Sequence, residues 1–305
     1  MRSVSGVTDY LDSVRILAFS DVVDWAPYRR VVDKWKPAVV ALAGDLTSDG
    51  GAAFWHTALE AIPAFRRAMA DLRRRLGVKV SSTEGYDIVP RKSWDKFRDG
   101  RWALERRYRN TPAFRHARKR LHVEKFYAFL KYAGKRAVVL VISGDHDDDF
   151  PGDYDACKID AIPGCHEISS KVHSVNGVTF LGLGFDQAGY RRPLRQIVLE
   201  QGGQVDVVIA HPPQKNVRIV AELQPGLLIR GHFGWGCHLI DGVPTVFTSG
   251  GHAVIDTRRK KPPRIRMLND DPLGPTSTWL LRRNYPWLMP YPGEKRDALS
   301  GIPHT

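Results

Sequence analysis

The stretch VLVISGDHDDDF, residues 139–150, places four aspartates and a histidine directly after an apolar run. Carboxylates and imidazoles are not buried beside a core unless a cation or another partner offsets their lost hydration. A solvated loop, a calcium loop and one wall of a metal site all fit this stretch by itself. The residues that follow the other apolar runs are therefore needed to choose between them.

Seven short runs rich in apolar and β-branched residues are predicted to be strands. Several are apolar at every position, which is typical of strands buried on both faces of a layered α/β sheet. The seven runs span residues 14–20, 38–44, 137–144, 178–184, 206–211, 227–232 and 245–251. The predicted fold class is therefore α/β, with layered sheets flanked by helices.

Helical apolar spacing occupies the long gap between the second and third runs. Residues 52–77 show it with an interruption at Pro63. A second helical stretch opens with Thr111 as N-cap and Pro112 at the first helical position, and closes at Gly134. Two helical segments are therefore predicted between these strands.

The chain divides into a sheet domain, an insertion and a tail. The sheet domain is assigned to residues 1–256, with a basic helical insertion at about 80–135. Residues 257–305 are rich in proline and charge, so this tail is expected to be mostly irregular, and either to wrap the surface or to stay partly mobile.

Positive charge is concentrated in one segment. The chain carries a net charge of +13, but residues 65–136 alone hold 22 Lys and Arg against 7 Asp and Glu, a net +15. The remainder of the chain is therefore slightly acidic, at −2. Such a field attracts polyanions, including nucleic acid and phosphorylated ligands, although a solvated helical surface fits the charge equally well.

Composition narrows the class of protein. No apolar run approaches the roughly 18 residues that span a bilayer. The N-terminus shows no signal-peptide pattern, and three cysteines make no disulfide framework. The sequence thus predicts a protein of the reducing cytoplasm without a membrane span; it leaves the oligomeric state open.

Polar residues follow five of the predicted strands, at the point where each strand ends. Because the carboxyl ends of strands line the ligand crevice in layered α/β folds, these side chains are expected to converge. Mixed carboxylate and imidazole ligation suits Zn, Mn, Fe or Ni, whereas calcium prefers oxygen alone. The residues are Asp21, Asp45, Asp145 with His146, His211 and His232.

The order of these motifs resembles that of the calcineurin-like metallophosphoesterase superfamily. That family shows D-x-H, GD, GNH followed by Asp or Glu, a lone His, and GHxH, each after a strand. The matching stretches are SDVVDW, AGDLTSDG, SGDHDDDF, IAHPPQ and RGHFGWG, and the resemblance covers about residues 14–255. It implies a metallophosphoesterase-like αββα sandwich.

The resemblance also implies roles for these residues. Asp45 would bridge two metal positions, and Asp21 would serve the first. Asp145, His211 and His232 would complete the second position. His146 would assist the leaving oxygen, with Asp147 orienting its imidazole. The implied activity is that of a metal-dependent phosphoesterase acting on phosphodiesters, with one or two divalent ions such as manganese.

Three departures from the family pattern concern the metal positions. Val23 stands where the family has the histidine of D-x-H, and Gly234 stands where it has the last histidine of GHxH. Both losses affect the first position. Asp145 replaces the family asparagine, and a carboxylate is the stronger ligand. Candidate substitutes for the first position are Asp24 and His238, and also Asp49 and His252.

Three functional hypotheses follow from this pattern. The first is an active phosphoesterase with one strong metal position. The second is a family member that has lost catalysis and serves as a scaffold. The third is a nucleic-acid-binding protein that works through the basic insertion, and it is compatible with the first.

Aromatic residues interleave with arginines in the insertion. They are suited to stacking on bases beside phosphate-binding arginines, or to packing the insertion onto the sheet domain. We expect the insertion to cap the metal crevice and to supply phosphate-contacting arginines. The aromatics are Trp94, Phe97, Trp102, Tyr108 and Phe114.

Overall fold

Two mixed six-stranded sheets pack face to face in this chain. A computed structural model describes residues 13–22, 25–47, 56–80, 87–147, 150, 152–185, 196, 199, 204–211, 219, 222–232, 235–249, 251–258 and 261–268. All seven predicted strands are present, and the α/β class is confirmed.

Sheet I combines a parallel centre with an antiparallel edge. In spatial order the strands are β14 (Lys261–Leu268), β13 (His252–Arg258), β1 (Arg15–Phe19), β2 (Val39–Ala43), β5 (Val138–Ile142) and β6 (Cys165–Glu167). The strands β1, β2, β5 and β6 run parallel, and β13 and β14 extend the sheet in antiparallel fashion.

Sheet II has the same mixed character. In spatial order the strands are β11 (Trp235–Ile240), β12 (Val243–Thr248), β10 (Leu227–Arg230), β9 (Val207–Ala210), β8 (Val178–Leu183) and β7 (Val172–Val175). The strands β12, β10, β9 and β8 run parallel, and they are flanked by antiparallel β11 and β7.

The remaining elements lie outside the two sheets. A two-stranded ribbon consists of β3 (Lys79–Val80) and β4 (Asp87–Ile88), and a 3-10 turn follows at Arg91–Ser93. A π-helical turn at Lys119–Val123 separates two helices. The helices are α1 (Ala26–Trp35), α2 (His56–Glu60), α3 (Pro63–Leu76), α4 (Trp94–Arg109), α5 (Pro112–Arg118), α6 (Glu124–Ala133) and α7 (Ala156–Asp160).

Local sequence signals set the helix ends. Thr111 caps α5 as predicted, because its hydroxyl accepts a hydrogen bond from the Phe114 amide at 3.2 Å. Gly77 ends α3 in the left-handed conformation, with φ of +65°, and its amide bonds back to the Arg73 carbonyl.

The central strands are buried on both faces. Along β2, Val39, Ala41 and Ala43 point into the core between the sheets, while Val40 and Leu42 point outward under helices. All five residues are fully buried. The continuous apolar run of this strand is the consequence of having two cores to fill.

The outer face of sheet I is covered by α1 and α6. Phe129 of α6 packs against Trp25 with ring centroids 4.7 Å apart, and it contacts Phe19 of β1 edge-on at 5.7 Å. Aromatic contacts therefore anchor α6, the last helix between β2 and β5, to the outer face of sheet I.

Helices α2 to α5, residues 56–118, enclose a small core of their own; we call them the helical lobe. Their buried residues include Phe65, Leu72, Phe97 and Phe114. The lobe begins earlier in sequence than the expected insertion, and α6, which was assigned to the insertion, packs on sheet I instead. The capping of the metal crevice by the insertion stays a prediction.

The lobe is attached to the loop that follows β5. Phe150 packs against the lobe core, with its ring 5.9 Å from that of Phe114. The guanidinium of buried Arg118 lies 4.0 Å from the centre of the Phe150 ring, and it forms an ion pair with Asp153.

The expectation of a mostly irregular tail is wrong for its described part. Residues 261–268 form β14 and pair with β13 along sheet I. Pro262 and Pro263 prevent recognition of this strand from the sequence, because proline usually interrupts strands. Proline is tolerated here because β14 lies at the sheet edge, where one side of the strand needs no backbone donors. Within the described residues, no helix combines the length and apolarity that a membrane crossing requires.

Replacing Phe129 by alanine should lower the free energy of unfolding by about 3–5 kcal/mol, because the removed ring leaves a cavity between α6 and sheet I. Urea denaturation measures this change. Lys131→Ala, at an exposed position of the same helix, is the matched control and should have an effect below about 0.5 kcal/mol. Equal stabilities of the two variants would contradict this packing.

Candidate metal centre

Four side chains from both sheets converge at the carboxyl ends of their strands. Asp45 follows β2, Asp145 follows β5, His211 follows β9 and His232 follows β10. Each offers one ligand atom, and these four atoms all lie within 4.8 Å of one another. The four residues form a candidate metal-binding site.

Asp145 lies at the centre of the group. Its Oδ1 atom is 2.9 Å from Nε2 of His211 and 3.0 Å from Nδ1 of His232. Nε2 of His211 is also 3.6 Å from Oδ2 of Asp45. The two carboxylates and two imidazoles thus face a common point.

Asp45 is the most deeply buried carboxylate of the group, with an exposed fraction of 1%. Burial raises the pKa of this carboxyl well above its usual range, although the positive charge of His211 opposes the effect. The amide of His146 donates a hydrogen bond to Asp45 Oδ1 at 3.0 Å. A buried carboxylate of this kind is stabilised by a nearby cation.

The pKa of Asp145 is shifted in the opposite direction from that of Asp45. Burial by itself would raise its pKa, but hydrogen bonds from His211 and His232 outweigh burial and lower the pKa well below its ordinary value. Asp145 is therefore a carboxylate, and so a competent metal ligand, throughout the physiological range.

His211 is fully buried and is fixed by the backbone. Its Nδ1 atom donates to the Ala43 carbonyl at 2.6 Å, so Nε2 is directed at the two carboxylates. This is the outer-shell hydrogen bond that commonly orients a metal-binding imidazole. Burial opposes protonation of the ring, but Asp45 and the hydrogen bond to Asp145 dominate and raise its pKa to about 9.

Glycines let the strand ends approach so closely. A Cβ added to Gly144 would lie 2.2 Å from the Asp45 amide nitrogen. One added to Gly231 would lie 2.0 Å from the Ala43 carbonyl oxygen and 2.6 Å from His211 Nδ1. The doublets Gly-Asp and Gly-His in the sequence therefore have a steric cause.

Several polar residues at the strand ends have unusual backbone angles. Asp45 has φ of +57° and His232 has φ of +75°, both in the left-handed region that non-glycine residues rarely adopt. Asp21 has φ of +53°. Such angles cost free energy of order 1–3 kcal/mol each, and they concentrate at functional sites.

Asp21 lies beside the four-residue group without belonging to it. Its Oδ2 accepts a hydrogen bond from the Ser20 hydroxyl at 2.6 Å, and its negative charge helps to raise the pKa of Asp45. Its role at a first metal position stays a prediction. Val23, Asp24, Asp49 and Gly234 lie outside the described residues.

The candidate substitutes His238 and His252 occupy different places. His238 lies on β11, on the face of sheet II opposite the inter-sheet core, with its ring 5.3 Å from that of Phe247. His252 is buried at the start of β13, with its ring 6.1 Å from that of Tyr28. Neither is part of the four-residue group.

His146 borders the group from the solvent side. Its Nε2 atom lies 3.5 Å from Asp145 Oδ2, and 26% of its side chain is exposed. The imidazole is therefore partly accessible to solvent, and its role at a leaving oxygen stays a prediction.

Asp147 connects the loops after β2 and β5, a role that the sequence did not reveal. Its Oδ1 accepts hydrogen bonds from the Leu46 amide (2.7 Å), the Thr47 amide (2.8 Å) and the Thr47 hydroxyl (3.0 Å). Its Oδ2 accepts one from the Gly144 amide at 2.8 Å. The predicted orientation of His146 by Asp147 stays a prediction.

Comparisons with known proteins do not assign this chain to a family. No family model and no curated protein matches the chain. One solved crystal structure aligns with 84% of this chain and 99% of its own, at 15% identity and a TM-score of 0.49. The crystal structure of TT1561 of Thermus thermophilus aligns with 84% of this chain and 98% of its own, at 11% identity and a TM-score of 0.46. Neither likeness bears on function.

Gly231→Ala should weaken divalent-metal binding roughly 10- to 100-fold, because its Cβ would disrupt the hydrogen bond that orients His211. Isothermal titration with Mn²⁺ measures this change. Gly177→Ala is the control: a Cβ there meets no atom within 4 Å, although φ of +79° imposes a small stability cost. Undiminished affinity in Gly231→Ala would argue against this arrangement.

Metal affinity should rise with pH. The pKa of about 9 means that His211 is protonated at neutral pH in the metal-free protein, so a metal must displace that proton. Affinity should therefore increase about tenfold per pH unit between about pH 6 and 8. Titrations in buffers of different ionisation enthalpy should show release of at least one proton, whereas a flat pH profile would contradict the prediction.

Proposed function

We propose that this chain is a metal-dependent phosphoesterase with a fold of the calcineurin-like metallophosphoesterase kind. The observation that carries the proposal is the group of Asp45, Asp145, His211 and His232, whose ligand atoms lie within 4.8 Å of one another. The face-to-face sheets with helices outside them, and the order of the motifs, agree with this assignment.

The donor set fits a divalent transition metal. Two carboxylates and two imidazoles match the ligand preferences of Mn, Fe, Zn or Ni, and the buried Asp45 requires a compensating cation. When bound, such an ion would supply Lewis acidity toward a phosphoryl oxygen and would lower the pKa of water for attack on phosphorus.

The residues of the chain contribute the remaining chemistry. His146 is the proposed proton donor to the leaving oxygen of a phosphate ester, because its partly exposed imidazole lies 3.5 Å from Asp145 Oδ2. Asp147 holds the loops of Asp45 and Asp145 together, so one buried carboxylate helps to fix the spacing between the residues that would hold the metal and the neighbouring His146.

A strong single metal position is the form of the site that this sequence favours. Asp145 supplies a charged ligand where the related family has an amide, which strengthens the position that it shares with His211 and His232. Asp21, together with the shared Asp45, is the proposed remnant of the first position. A phosphodiester is the proposed substrate class.

The test combines metal analysis with hydrolysis. Protein purified without added metal should contain about one equivalent of transition metal, and it should hydrolyse an aryl phosphodiester or monoester. His146→Ala should retain the metal but lose roughly 100- to 10,000-fold in kcat, because proton transfer to the leaving group is removed. Inductively coupled plasma mass spectrometry and steady-state kinetics measure the two effects.

Two controls separate the outcomes. Asp145→Ala should lose the metal and the activity together, while His238→Ala, on the outer face of sheet II, should lose neither. Bound metal without hydrolysis of any phosphoester would reject the enzymatic proposal and favour a scaffold. Absence of bound metal, even after titration, would reject the site itself.

A further inference from the structure

The helical lobe separates its aromatic residues into two groups. Phe97 and Phe114 are buried in the lobe core, and Tyr108 packs edge-on against Phe65 at 5.6 Å. Trp94 and Trp102 are instead 44% and 58% exposed. Each exposed indole offers an accessible π face on which another aromatic ring can stack.

The two exposed indoles alternate with arginines along α4. Trp94, Arg98, Trp102 and Arg106 recur every four residues, which places them on successive turns of one side of the helix. At about 1.5 Å rise per residue, the two tryptophans are separated by about 12 Å along the axis. A groove of 760 Å³ beside the helix is lined by Arg98, Trp102, Arg106 and Asn110, among others.

The arginines on this side of α4 differ in the ion pairs that they form within the chain. Arg98 pairs with Asp95 at 3.2 Å and with Asp99 at 3.1 Å, so much of its charge is compensated locally. Among the described residues, exposed Arg106 makes no comparable ion pair. The positive field at the groove therefore comes mainly from Arg106 and its neighbour Arg107.

We propose that this face of α4, defined by Trp94, Arg98, Trp102 and Arg106, binds single-stranded nucleic acid. Indole rings stack on unpaired bases of any sequence, while neighbouring guanidiniums contact the phosphates. A duplex conceals the faces of its bases, so it cannot use the two tryptophans. The net charge of +15 over residues 65–136 supplies the charge complementarity that a polyanion requires.

An anionic membrane is the less suitable occupant of this surface. The exposed side of α4 presents two separate indoles rather than the continuous apolar stripe of an interfacial helix. The proposal goes beyond the phosphoesterase activity and does not rest on it.

The test is binding of fluorescein-labelled oligothymidylate to the full chain in the presence of EDTA, measured by fluorescence anisotropy. Excess chelator excludes metal-dependent hydrolysis, so failure of the enzymatic proposal would not affect the result. Trp102→Ala should weaken binding roughly 5- to 100-fold, and Trp102→Phe should recover part of this loss. Arg106→Gln should reduce the slope of log affinity against log salt by about 0.7.

Matched controls test whether the surface itself is responsible. Leu239→Ala removes an apolar side chain that is 59% exposed on β11, and Arg30→Gln removes an exposed cation on α1. Both should bind oligothymidylate nearly as the unmodified chain does. The inference is overturned if these controls weaken binding as much as the α4 variants.

Two further results would also overturn it. One is equal binding of the oligothymidylate–oligoadenylate duplex and the single strand, with Trp102→Ala affecting neither, since contact would then involve phosphates alone. The other is binding to phosphatidylserine vesicles but not to the oligonucleotide, which would assign α4 to a membrane surface.

Discussion

The carboxylate of Asp45, buried at the end of a fully buried strand, is the constraint around which the site is organised. A charge in that place is costly unless positive groups surround it. Two groups meet this requirement: Nε2 of His211 lies 3.6 Å from Asp45 Oδ2, and the His146 amide donates to Asp45 Oδ1 at 3.0 Å. His211 follows β9, and His146 follows β5. The two sheets are thus joined at one edge by a polar contact as well as by their apolar core.

The strand ends approach each other closely because glycines lie between them. Gly144 and Gly231 have no Cβ, so the loops after β5 and β10 can contact Asp45 and the Ala43 carbonyl directly. Asp147 then fixes the spacing of two loops through four hydrogen bonds. Rigid placement of ligands before a metal arrives is what preorganises such a centre.

Much of this arrangement was predictable because its signals are local in the sequence. Continuous apolar runs identified the buried strands, and Asp45, Asp145 and His211, each just after such a run, marked the carboxyl edge of the sheets. The strand β14 was missed because Pro262 and Pro263 are typical strand breakers, and only its edge position makes them acceptable.

Other features depend on contacts that one sequence cannot show. Arg118 looks like any of the 22 cations of its segment, yet it is buried against Phe150 and paired with Asp153. Likewise the sequence does not show which aromatic residues of the lobe are buried. Phe97 lies in the lobe core, whereas Trp102 is exposed. The contacts of Arg118 also connect the lobe to the loop that carries His146.

We propose that four residues from the two sheets hold one metal ion. Anomalous diffraction from crystals grown with Mn²⁺ tests this most directly. We predict a single strong peak at about 2.0–2.2 Å from ligand atoms of Asp45, Asp145, His211 and His232. Absence of a peak there, or a peak coordinated by other residues, would contradict it.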